Sequence, residues 1–153
     1  MDKILIRLNV MKIKDRLQDW RDFRKSLQGK DETYIIENIL DYWSKKPIVN
    51  FVLNYNDYKN WPTPWELISE DYFDSICIAY LMMETFISLG FNKERFELRY
   101  IKPDINSECI MILILDNCKV FNYSYNEIYN IEDISYINCL VKIKYINDNL
   151  IKV

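Results

Sequence analysis

The side chains that could do chemistry in this chain are carboxylates, lysines, tyrosines and four cysteines, because histidine is absent from its 153 residues. That absence removes Ser-His-Asp and Cys-His catalysis, imidazole metal ligands and the usual switch at physiological pH. Any acid–base step falls to Asp, Glu, Lys, Tyr or Cys. The cysteines are Cys77, Cys109, Cys118 and Cys139. No two form a C-x-x-C pair, so their spacing gives no zinc site. All four are expected as reduced thiols serving as small core hydrophobes. Glu70, Asp71 and Asp74 stand just before or within the first turn of a strongly apolar helix, where carboxylates complement the helix dipole. Asn54, Asn56 and Asp57 look like pieces of a calcium loop, but its Gly and closing Glu are missing. Two glycines cannot build a phosphate loop. No metal and no cofactor is expected.

The elements that must position these groups fall into two halves. Ile4, Ile6, Leu8 and Val10 alternate with other residues and read as a weak strand. Leu17, Trp20, Phe23 and Leu27 then recur at helical spacing, predicting a helix over 14–28 stopped by Gly29. Ile35, Ile36, Ile39, Leu40 and Trp43 mark a second helix near 33–45, ended by Pro47. Residues 48–60 lack a period and read as a loop with turn chemistry at 54–57. A helix from Phe73 to Leu89 is apolar nearly all round and should be central and buried, with Gly90 as its left-handed terminator. After Gly90 the period changes to two. Strands are predicted around 96–101, 109–115, 119–123 and 136–146, with turns at 103–106 and at Asp116-Asn117. The expected fold is α+β, a single domain over 1–153. Its helical part spans about 12–90, and an antiparallel β-meander spans about 95–147, packed on the buried central helix.

Half of the tryptophan and half of the proline lie in Trp61-Pro62-Thr63-Pro64-Trp65-Glu66-Leu67-Ile68. Thr63 is a candidate N-cap, Pro64 takes the first helical position and Glu66 completes a capping box. Trp65, with Leu67 and Ile68, is expected to clamp this helix start onto the core. Upstream, Trp43, Tyr55, Tyr58 and Trp61 belong to an aromatic-rich stretch. Most of it should fill the core, and its exposed members would form a protein-docking patch.

Composition narrows the classes further. Hydrophobic residues make up 50% and charged residues 28%, which fits a globular chain. The net charge is −3 and no Lys/Arg block stands out, so nucleic acid is not an expected partner. No signal peptide is read at the start, and the apolar run 76–83 is too short to span a bilayer. Heavy use of Asn, Ile, Lys and Tyr suits AT-rich codons.

Two resemblances follow from these residues. Tyr42-Trp43-Ser44-Lys45-Lys46-Pro47, the aromatic loop, the tryptophan motif and the helix 73–89 resemble a family of tailed-bacteriophage proteins, over about Phe23 to Tyr123. This implies a virus-encoded chain found in the virion or the host cytoplasm. The architecture, a buried helix ending in Leu89-Gly90-Phe91 followed by strands at Phe96, Glu108 and Val120, is similar to the transglutaminase-like version of the papain fold. That family has a nucleophilic Cys at the helix start and a His and an Asp on the next strands. Here those places match Asp74 or Ser75, the neighbourhood of Glu108, and Asn122. The resemblance therefore implies a catalytically dead version, and Cys77 lies a turn too deep to substitute.

The expected function is accordingly non-enzymatic. The chain would be a virion component or assembly factor contacting other phage proteins, through Trp43, Tyr55, Tyr58 and Trp61. Two alternatives stand beside it. One is a diverged transglutaminase-like or cysteine-protease-like enzyme using Asp74, Glu108 or a cysteine, which requires these side chains to converge on one open cleft. The other is a host-directed inhibitor.

Overall fold

The computed structural model describes residues 3–153, with side chains from Ile13 onward. Helix α1 spans Lys3–Leu27, α2 Glu32–Ser44, α3 Pro64–Glu70 and α4 Ser75–Ser88. Strands follow as β1 Phe96–Lys102, β2 Ile110–Leu115, β3 Lys119–Phe121, β4 Tyr129–Asn130, β5 Asn138–Ile146 and β6 Asn149–Lys152. The strand expected at 4–10 is instead the first part of α1. Its apolar residues also fall four apart, a spacing a helix accepts, and no Gly or Pro interrupts the chain before Gly29.

Local signals set the helix ends. Asp31 caps α2 by accepting from the Tyr34 N–H at 2.9 Å. Gly29 and Gly90 take the positive φ values of 76° and 96° that the chain reversals require. At the end of α4 the Phe91 N–H donates to the Phe86 carbonyl, and the two rings pack 5.0 Å apart. That is the Schellman closure with its apolar contact.

The sheet is antiparallel with strand order β4-β3-β2-β1-β5-β6. A simple meander was expected, but β5 pairs with β1 rather than with β4. Strand β4 is two residues long and offers little edge. The seven-residue β1 has a full free edge, which the nine-residue β5 covers. Asp116-Asn117 and Asn147-Asp148, all at positive φ, close the β2–β3 and β5–β6 hairpins.

One sheet face carries Phe96, Leu98, Met111, Leu113, Phe121, Val141 and Ile143 into a core shared with α4, α2 and α1. The other face buries Ile101, Ile112, Ile114 and Val120 beneath Tyr123, Tyr129, Ile131, Ile134 and Tyr136 of the 122–137 segment. This two-sided burial explains why β2 reads as an unbroken apolar run. Ten residues of α4 are buried, as its all-round apolarity predicts.

Candidate active site at the start of helix α4

Asp74 organises the entry to α4. One oxygen of its carboxylate accepts from the Cys77 N–H at 2.8 Å, which caps the helix. The other accepts from the Val52 and Leu53 N–H groups, both at 2.9 Å. The loop is thereby tied to the helix start, and Phe51 is held at φ 62° with its ring 96% exposed. A left-handed Phe is uncommon, and here it accompanies two successive amides aimed at one carboxylate.

Two further residues complete the local structure. The Ser75 hydroxyl oxygen accepts from the Met111 N–H of β2 at 3.2 Å. Asn122, at positive φ just after β3, donates its side-chain amide to the Ser75 carbonyl at 3.1 Å and the Met111 carbonyl at 2.8 Å. The helix start, β2 and the end of β3 therefore meet at one point. The groups gathered there are the Ser75 hydroxyl, the Met111 backbone and the Asn122 amide.

Beside this point stands Tyr100 of β1, stacked on Tyr55 with ring centroids 4.6 Å apart. Burial raises the Tyr100 phenol, and Cys109, Asp74, Tyr55 and Glu108 lie close enough to raise it further. Cys109 is half-buried and immediately precedes β2. It lies two residues before Met111, outside the strand itself. Cys77, by contrast, is fully buried, and burial pushes its thiol far up, which makes it inert at neutral pH.

The other predicted site residues separate. Trp43 is 1% exposed and donates its indole N–H to Thr85 at 3.1 Å, so it is a core residue and no docking surface. Its place on the Ile36-Ile39-Leu40 stripe dictates this. Trp61 packs edge-on against Tyr80 and donates to the Asn54 carbonyl at 2.8 Å. With Tyr58, Tyr80 and Tyr145 it lines a cavity of about 450 Å³ against the β5–β6 hairpin. Thr63 caps α3 by accepting from the Glu66 N–H, but the expected reciprocal box is replaced by its hydroxyl donating to the Glu66 carboxylate at 2.8 Å; Pro64, Leu67 and Ile68 are buried. Trp65 does not clamp the core and is 56% exposed, because positions 64, 67 and 68 occupy the inner side of this short helix. Asp71 ends α3 and pairs with Arg16 at 3.8 Å. Cys118 is exposed on the β2–β3 hairpin and is no core hydrophobe.

Tyr100 and the placement of Cys109 beside it escaped sequence reasoning. Both sit in ordinary strand patterns, and their meeting depends on β1–β2 register and on the path of the 51–55 loop.

No family model and no curated protein matches the chain. Solved structures do. Legionella pneumophila LapG in its calcium-bound form is similar with a TM-score of 0.74 at 14% identity, covering 93% of this chain and 80% of that one. A second LapG structure gives a TM-score of 0.70, covering 85% and 73% of the two chains at 14% identity. EGTA-treated LapG gives 0.72, covering 92% and 77%, again at 14% identity. These matches overturn the non-enzymatic virion or assembly reading and favour the enzyme alternative. The chain has a mixed α+β, transglutaminase-like fold, with its helix start, β2 and the end of β3 meeting where Asp74, Ser75, Met111 and Asn122 stand.

Proposed function

We propose that the chain is a diverged acyl-transfer or hydrolytic enzyme of the transglutaminase-like fold, acting at the start of α4 through the thiol of Cys109. The observation that carries this reading is the junction of the α4 start, β2 and the end of β3, where Ser75 accepts from the Met111 N–H and Asn122 donates to both the Ser75 and Met111 carbonyls, with Cys109 just before β2. Ser75 and Asn122 stand where the fold's other reacting groups would be, but no imidazole exists to activate the serine. A thiol is the stronger nucleophile when no paired base is present. It would add to an amide or ester carbonyl and expel the amine or alcohol, which leaves with the thiol proton. Water or a second amine would then cleave the thioester. Tyr100, held protonated by its raised pKa, is placed to donate to the developing oxyanion. The exposed Phe51 ring offers an apolar contact for a substrate side chain.

Calcium accompanies one of the similar LapG structures. Among the described residues, no group of three or more Cys, Asp or Glu side chains could hold a metal ion. No calcium site is assigned and no step uses one.

The test pairs labelling with turnover. Sub-stoichiometric iodoacetamide followed by peptide mapping should modify Cys109 ahead of the more exposed Cys118. Cleavage or aminolysis of casein, glutamine peptides and aryl esters should disappear in Cys109→Ala while its melting temperature is unchanged. Full turnover in Cys109→Ala, or none by the parent chain on any of these substrates, would sink the reading.

A further inference from the structure

The exposed tryptophan of the sequence motif has a setting of its own, away from the start of α4. Trp65 forms one wall of a cleft of about 380 Å³, and the other wall is the flank of α1 carrying Lys14, Gln18, Trp20, Arg21 and Arg24. Among the described residues, every ionisable side chain lining this cleft is a cation. Helical periodicity explains the segregation. At about 100° per residue, Lys14, Arg21 and Arg24 share one flank of α1, whereas Asp15, Asp19 and Asp22 share another. Two of those carboxylates are already engaged, Asp19 by the Tyr42 hydroxyl at 2.7 Å and Asp22 by Gln18 at 2.8 Å.

Arg24 is the second observation. Its guanidinium lies 3.8 Å over the Trp20 ring, and its buried Nε–H has no hydrogen-bond partner among the described residues. Burial and then the neighbouring Arg21 lower its pKa, so two crowded cations face the same cleft. Arg16, Arg95 and Arg99 all have carboxylate or carbonyl acceptors. A stacked guanidinium, crowded by a second one and left without acceptors, is a group that a bound anion stabilises.

We propose that this cleft binds a nucleoside phosphate, with the base stacked on Trp65 and the phosphate held by Arg21 and Arg24, and Lys14 at the far end. Planar guanidiniums one helical turn apart suit phosphate oxygens, and an exposed indole suits a nucleobase. The cleft, at about 380 Å³, has the volume of a small-molecule site.

Calorimetric titration of the intact chain with AMP, ATP, pyrophosphate and adenosine tests this. Nucleotides should bind, and Arg21→Gln should weaken them by about tenfold or more without moving the melting temperature. Trp65→Ala should weaken AMP and ATP by about tenfold yet leave pyrophosphate unchanged, since it removes only stacking. Arg24→Gln is the supporting variant, read alongside Arg21→Gln because Arg24 also packs on Trp20. Failure of AMP and ATP to bind at millimolar concentration overturns the proposal. So does nucleotide binding indifferent to both Trp65→Ala and Arg21→Gln. Tighter binding of an acidic aromatic peptide or of oligo-dT than of any mononucleotide would assign the cleft to another partner and overturn it too.

Discussion

Thr85 accepts hydrogen bonds from two buried indoles, Trp20 and Trp43, both at 3.1 Å, while donating to the Leu81 carbonyl. One fully buried hydroxyl thus satisfies two of the largest side chains in the core. Thr85→Val keeps the shape and strands both indole N–H groups. It should cost roughly 2–5 kcal/mol in urea unfolding, since each unsatisfied buried donor costs about 1–3 kcal/mol. A loss within experimental error would mean that water reaches the indoles. The two tryptophans of the sequence reading exchange roles at this scale. Trp43→Ala should lose about 3–5 kcal/mol as a core truncation, whereas Trp65→Ala should stay within about 0.5 kcal/mol as a surface change. Thermal melts of the two variants side by side check the exchange. Both tryptophans sit in helical segments next to apolar residues, so residue type alone could not separate them. The phase of the short α3 helix, with Pro64, Leu67 and Ile68 inward, decided it.

At the scale of elements, α4 and the loop before it form one unit. The Asp74 carboxylate accepts three backbone N–H groups, one from α4 and two from the 51–53 loop. Capping of α4 was legible from Asp74 standing just before an apolar run. Loop anchoring was not, because nothing in Val52 or Leu53 marks their amides as donors to a residue more than twenty positions away. Asp74→Ala should therefore cost more than an ordinary cap, roughly 2–4 kcal/mol. It should also expose the 51–55 loop to proteolysis before the global melt. Asp74→Asn retains an acceptor oxygen and should recover part of the loss. Equal protease resistance in Asp74→Ala and the parent chain would show that Tyr55 stacking on Tyr100 holds the loop unaided.

Across the whole molecule, Arg95 ties the helical half to the sheet. Its guanidinium pairs with Glu32 at the start of α2 at 2.8 Å and with Asp116 of the β2–β3 hairpin at 2.7 Å. The Arg95 hydrogen bonds hold both carboxyls below the ordinary carboxylate range. Carboxyls lowered in the folded state add stability that is present above their unfolded pKa and is lost as pH falls through the folded one. Both groups are largely exposed, so solvent screens much of the effect. Arg95→Met should lower stability at pH 7 by only about 0.5–1 kcal/mol, shrinking with added salt. It should also flatten the decline in melting temperature below pH 4.5. An unchanged acid limb would show that other carboxylates govern it.

What the amino-acid sequence determined by itself is local and periodic. Helix ends at Thr63, Asp74 and Gly90, the buried character of α4, the Asp116-Asn117 turn and the α+β class all follow from spacing, capping and left-handed positions within a few residues of one another. The absence of histidine excluded imidazole chemistry from the outset. Tertiary structure alone decided that β5 closes on β1, that Tyr100 stacks on Tyr55 of the loop before α3, and that Trp65 faces the cationic flank of α1. Those outcomes depend on strand edges, register and helix phase, which are fixed by packing between segments far apart in the chain and leave no short-range pattern to read.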